Sequence, residues 1–244
     1  MRTNFAYPTI GSNAMTFTYY GHSCFAIELP SGERLLFDPF ITPNPLAAGI
    51  TLESIRADYI LLSHGHADHV ADAVALAKQT GALVVCAWEI SEWLGKQGVH
   101  NVRPMNTGGT WRAPFGTVQC VVAQHSSSLP DGTYGGNPMG FVVATTAGTF
   151  YYAGDTALTL DMQLIPRRYS LDAAILPVGD NFTMGIDDAI VAAELLRCSN
   201  IIGVHFDTFE LIRIDHDAAT KAFAARGLTL RLPAVGASIP LRLE

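Results

Sequence analysis

Six consecutive residues, HGHADH at 64–69, hold three of the chain's eight histidines and an aspartate. They follow a short apolar run, ADYILLS (57–63). Three more metal-competent side chains also follow apolar runs: His125 after VQCVVAQ, Asp155 after FYYAG and His205 after IIGV. Neutral imidazole and carboxylate suit Zn²⁺, Mn²⁺ or Fe²⁺, and no nearby cysteine adds a soft ligand. His64, His66, Asp68, His69, His125, Asp155 and His205 exceed what one tetrahedral catalytic ion needs, three protein ligands and a water. They fit two ions that share one bridging carboxylate. Such a pair can hold a bridging hydroxide and polarise a carbonyl or phosphoryl oxygen. Taken singly, any of these residues reads as a cap or a satisfied core group, and Asp68 can cap a helix at 69–79. His100 and His216 carry only that plain reading.

The elements that must position these residues are legible as strands and helices. Strand patterns run over 15–21, 24–29 and 34–38, with PSGE (30–33) as a turn. A buried-type strand over 57–63 precedes a helix over 69–81 that Gly81 can end. A further strand (82–87) and a short helix (89–98) follow. The second part repeats this grammar: strands at 116–124, 140–146, 149–155, 173–179 and 200–206, and helices at 185–198 and 215–227. The expectation is one α/β domain over residues 15–244, two packed sheets flanked by helices. The stretch GSNA before Met15 marks residues 1–14 as a segment added for expression.

Composition excludes several classes. The formal charge is −7, from 15 Lys+Arg and 22 Asp+Glu, with no basic run. That speaks against nucleic acid as a partner and for a small-molecule substrate. No apolar run is long enough to span a bilayer. The four separated cysteines read as buried thiols in a reducing compartment, the cytoplasm. The apolar composition is compatible with a homo-oligomer.

HGHADH resembles the H-x-H-x-D-H signature of the metallo-β-lactamase superfamily. Asp38 in LLFDPF, His125 in AQHSSS, Asp155 in YAGDT and His205 in GVHFDTF follow in the matching order. YYGHSCF, DPFITPNPLA, HSSS, GGNPMGFVV and LPVGDNFTMGIDDA are similar to its ascorbate-6-phosphate-lactonase-like branch. The resemblance implies an αβ/βα sandwich of two mixed sheets with a dinuclear site at one edge. It implies His64, His66 and His125 on a first ion, Asp68, His69 and His205 on a second, and Asp155 between them. Zn or Mn would fill the sites, with Fe as a third option. Asp155 matches the hydrolase branches, and no insertion or added domain of the specialised branches is expected, leaving a minimal hydrolase.

Asp68, Asp155 and His22 are the residues expected to carry the chemistry. His22, in GHSCF, can donate to an oxyanion or protonate a leaving group, or it is structural in a strand turn. Asp38 would orient the ligand loop, as carboxylates behind metal sites often do, or form a turn before Pro39. Ser126, Ser127 and Asn137 are expected substrate contacts, or parts of a glycine-rich hairpin. Asp207 and Thr208 are expected behind His205, and Asp180 either faces the site or caps a turn. The leading expectation is metal-dependent hydrolysis of a small lactone, ester or related carbonyl compound. The alternatives are a small-molecule phosphodiesterase and a catalytically silent metal-binding or sensor protein.

Overall fold

The computed structural model describes residues 14–243; the expectation for the opening segment concerns residues that lie almost wholly outside this range. The chain first forms β1 (Thr16–Gly21), β2 (Cys24–Glu28), β3 (Arg34–Phe37) and β4 (Tyr59–Leu61). Then come α1 (Ala67–Val70), α2 (Ala73–Thr80), β5 (Leu83–Ala87), α3 (Trp88–Lys96) and β6 (Val102–Met105). The second part forms β7 (Thr110–Ala113), β8 (Gly116–Val122), β9 (Met139–Thr145), β10 (Gly148–Tyr152) and β11 (Ala173–Pro177). It ends with α4 (Ile186–Leu196), β12 (Asn200–Val204), α5 (His216–Ala224), β13 (Thr229–Arg231) and β14 (Ser238–Pro240).

Two sheets result, in the orders β14-β1-β2-β3-β4-β5-β6 and β13-β12-β11-β10-β9-β8-β7. Each is antiparallel in one half and parallel in the other. This confirms the expected αβ/βα sandwich of mixed sheets. The inner faces meet through aromatic rings: Phe25 and Phe37 of one sheet lie 5.0 and 5.5 Å from Tyr152 of the other, between ring centroids. Strands β11 and β12 are buried throughout, as parallel strands covered on both faces must be, and β3, β4 and β10 are buried toward their carboxyl ends.

Strand direction decides where the polar residues emerge. The pairings make β1, β3 and β4 run the same way in one sheet, and β8, β10 and β12 the same way in the other. Their carboxyl ends release His22, Asp38, His64, His125, Asp155 and His205. A single hydrogen bond, His205 N–H to His22 C=O at 2.9 Å, ties the exits of β1 and β12 together across the two sheets.

The helix expected over 69–81 is broken. Helix α1 starts at Ala67 with His66 as its N-cap residue, and α2 starts only at Ala73. The break falls at Asp72, whose carboxylate accepts from Ile41 N and Thr42 N, at 2.6 and 2.9 Å, instead of capping α2. Asp68 lies inside α1 and does not cap it, which corrects the simple capping alternative. Strands β6, β7, β13 and β14 were not expected; they are short and carry little apolar alternation.

Cys24, Cys86, Cys120 and Cys198 are free and buried. Burial pushes the Cys120 thiol up to about 12 and raises the other three as well. A protonated, enclosed thiol is a poor nucleophile. All four should stay silent toward a disulfide reagent at pH 8 in the native protein and react together once it is denatured. Titration of free thiol with and without denaturant checks this.

Candidate metal centre

The residues delivered by the strand ends converge. His64, His66 and His125 each offer a ring nitrogen within 4.8 Å of the others. Asp68, His69 and His205, with His22, form a second group by the same measure. Asp155 stands between them. Its Oδ2 lies 3.0 Å from His205 Nε2, 3.2 Å from His69 Nε2, 3.7 Å from His125 Nε2 and 3.9 Å from His64 Nε2. Asp155 is 2% exposed, so four imidazoles face one carboxylate oxygen in the near absence of water.

Behind this cluster lies Asp38, fully buried. Its Oδ1 accepts from Ser63 N at 2.7 Å. Its Oδ2 accepts from Ser63 Oγ and Tyr152 OH, both at 2.5 Å, and from His69 Nδ1 at 2.9 Å. The proton positions follow. His69 Nδ1 carries a proton toward Asp38, so Nε2 is the nitrogen turned to Asp155, and a proton there faces the carboxylate. Ser63 spends its hydroxyl proton on Asp38, so its oxygen takes the Nδ1 proton of His64 at 3.0 Å. His64 Nε2 is then bare, 2.9 Å from His66 Nδ1. Two imidazole nitrogens at that distance need a proton or a cation between them.

The donor set fits a divalent transition metal. All of its donors are imidazole nitrogens and carboxylate oxygens. His69 Nε2 and Asp155 Oδ1 are buried with no hydrogen-bond partner, and such orphaned donors are what ligation would satisfy. Burial, reinforced by neighbouring histidines, lowers His64, His66 and His125, which keeps them neutral and able to ligate. His69 moves the other way: burial opposes its charge, but Asp155, Asp38 and Asp68 outweigh that and raise it. A metal ion would take the place of that proton. Asp155 is held well below the carboxylate range because His205 and His69 outweigh its burial.

His22 is fully buried and has no free edge toward a substrate. Its Nε2 meets Asp68 Oδ2 at 2.9 Å and its Nδ1 meets Thr208 Oγ1 at 2.9 Å. Burial, aided by His205, lowers it to about 4, so it is neutral. The neutral ring donates from Nε2 to Asp68 and accepts the Thr208 hydroxyl at Nδ1. In this structure the ring therefore meets Asp68 and Thr208, the arrangement of a residue that orients Asp68. Burial of Asp68 is outweighed by His69 and His22, which keep it ionised.

A cleft of about 510 Å³ opens above the cluster. His66, Asp68, His125, Asp155 and His205 form its floor with Ser126, whose Oγ lies 3.3 Å from His66 Nε2. Ser127 is buried and accepts from Gly65 N at 3.0 Å, so it braces the histidine loop from below. Asn137 is exposed outside the cleft, bonded to Tyr134 OH. Asp207 binds Ile214 N and His216 Nε2, bracing the 207–216 loop and not a ligand. Asp180 is exposed and caps its own turn at Asn181 N. Sequence reading missed Ser63 and Tyr152. Ser63 had a signal, the last residue before His64; Tyr152 had none that separates it from core. A larger cavity, about 800 Å³ between the starts of α4 and α5, contains none of the converging histidines.

A two-sheet sandwich with a His/Asp cluster at the shared strand-end edge defines the metallo-hydrolase fold of the β-lactamase type. The profile of the beta-lactamase superfamily domain matches residues 33–206. A UPF0173 metal-dependent hydrolase of Flavobacterium johnsoniae is 52% identical over 227 residues, 93% of this chain and all of that protein. One from Methylacidiphilum infernorum shows the same identity and coverage. Among solved structures, the metallo hydrolase Igni18 of Ignicoccus hospitalis aligns with a TM-score of 0.85 and 32% identity, over 95% of this chain and all of its own. The chain belongs to the metallo-β-lactamase superfamily.

Asp38→Asn should lower unfolding stability by on the order of 3 kcal/mol, because four buried donors lose the carboxylate they share. Denaturant titration of the metal-free proteins measures it. His22→Phe should leave the far-ultraviolet dichroism unchanged yet weaken retention of metal by the Asp68, His69 and His205 group. Metal content after dialysis against a weak chelator reads that loss.

Proposed function

We propose that this metal-dependent hydrolase acts on a small lactone, ester or related carbonyl substrate, with two divalent ions as cofactors. The observation that carries this reading is Asp155 Oδ2 facing ring nitrogens from both groups, at 3.0 to 3.9 Å. His64, His66 and His125 would hold one ion, Asp68, His69 and His205 the other, and Asp155 both. Bound there, the ions would supply a nucleophilic water near neutral pH and polarise the carbonyl oxygen.

The chain's own residues do the rest. Asp38 fixes the tautomers of His64 and His69 before any ligand arrives. His22, locked by Thr208, turns one Asp68 oxygen inward and leaves the other for ligation or for the proton of the attacking water. Asp68 is the carboxylate suited to return that proton to the leaving oxygen, because its side chain is 28% exposed at the cleft while Asp155 is 2% exposed. Ser126 can hydrogen-bond the substrate carbonyl side. Lactone chemistry is favoured by the likeness to the ascorbate-6-phosphate-lactonase-like branch, and Zn or Mn by the donor set. Four free buried thiols fit a cytoplasmic setting, and no described helix is long and apolar enough to cross a membrane.

Reconstituted protein should contain about two equivalents of transition metal per chain, and Asp155→Ala should lose most of it. Plasma mass spectrometry measures this. Exhaustive chelation should abolish hydrolysis across a lactone and ester panel, and restoring Zn²⁺ or Mn²⁺ should bring it back. Turnover that survives metal removal would sink the mechanism.

A further inference from the structure

The wall of the cleft is apolar. Phe182, Phe209 and Leu211 line it above the metal-binding floor, and they are 52, 41 and 66% exposed. Single exposed apolar residues are ordinary, but three on one wall of a polar cleft are not. Two separate loops supply them: Phe182 follows β11, and Phe209 and Leu211 follow β12. Both loops leave their strands through non-glycine residues in the left-handed region. Asp180 and Asn181 have φ of 62° and 57°, and His205 and Asp207 have φ of 57° and 60°. Such conformations are costly and persist where the surroundings impose them. The Asp180 carbonyl binds Phe182 N at 2.6 Å, and Phe209 rests edge-on 5.5 Å from the His22 ring. Both side chains are thus held at the cleft by built turns.

No lysine or arginine is among the described residues that line this cleft. A phosphorylated substrate would find no side-chain countercharge there, only the metal ions, which the reacting group must occupy. We infer that the substrate carries an uncharged aliphatic or aryl group, seated against Phe182, Phe209 and Leu211 while its carbonyl faces the cluster. This rests on the hydrolase reading and narrows it: an acyl or alkyl-substituted ester or lactone, not a sugar phosphate.

The test uses the full chain loaded with Zn²⁺ or Mn²⁺. One series is p-nitrophenyl esters from acetate to octanoate, read as kcat/KM. The other is straight-chain aliphatic hydroxamates of the same lengths, read as Kd by calorimetry. Both should improve by roughly two- to fourfold per added methylene until the wall is covered. γ-Octalactone should be a better substrate than glucono-1,5-lactone 6-phosphate. The double variant Phe182→Ser, Leu211→Ser should flatten both slopes, and the wild-type slopes decide the matter if that variant does not fold.

A flat hydroxamate series, including no binding at any length, overturns the inference, as does a preference for the phosphorylated lactone. Esters hydrolysed at a rate independent of length overturn it while leaving the hydrolase reading intact. A persistent hydroxamate slope with no hydrolysis of any ester or lactone overturns the ester and lactone reading, and with it this substrate assignment, while the slope still shows that the wall seats an apolar group. A drop in mass by light scattering in the double variant, with unchanged slopes, would mean that the rim seats a second copy, and it also overturns the substrate assignment.

Discussion

Asp38 gathers Ser63 N, Ser63 Oγ, Tyr152 OH and His69 Nδ1 on one fully buried carboxylate. The arrangement of the histidines depends on this. A buried carboxylate is costly unless its oxygens are satisfied, and here they are satisfied by groups from β10, from the end of β4 and from α1. The same bonds set which nitrogen of His69 and, through Ser63, of His64 is turned to the cluster. Asp38 thus converts a requirement of folding into a requirement of ligation. It sits at φ 41° directly after β3, a strained exit that the four bonds help to hold.

Strand direction is the second constraint. Within each sheet the strands that run the same way bring their carboxyl ends to one edge, and every principal site residue outside the 64–69 stretch leaves from such an end. Ligands in open α/β sheets gather outside the carboxyl ends of strands for the same geometric reason. The His205 N–H bond to His22 C=O closes the edge. Gly179 permits that closure, because a Cβ there would come within 2.1 Å of the His205 carbonyl oxygen.

Charge and apolarity divide the site by depth. Carboxylates and imidazoles lie at the bottom, where burial makes each interaction strong. Ser126 occupies the floor near the surface, and apolar side chains form the wall. The loop after β12 spans both zones, with His205 in the cluster and Phe209 and Leu211 on the wall, where Phe182 from the loop after β11 joins them.

Much of the centre was readable without coordinates. The crowding of His64, His66, Asp68 and His69, and the recurrence of His125, Asp155 and His205 after apolar runs, identify donor chemistry by residue type and spacing alone. Strong apolar periodicity likewise marks the central strands. The short strands β6, β7, β13 and β14 lack it, since partners and not their own pattern hold them in the sheets. The break at Asp72 was hidden because it depends on Ile41 and Thr42, thirty residues away. Only tertiary structure could show that His22 faces Asp68 and Thr208, that Asp207 braces a loop, or that Tyr152 binds Asp38. The sequence by itself determined which side chains can bind metal and which segments are the central strands, because those are local properties of type and period. The fold decided which nitrogen is bare, which histidine is buried and what lines the cleft, because each is set by contacts between residues far apart in the chain.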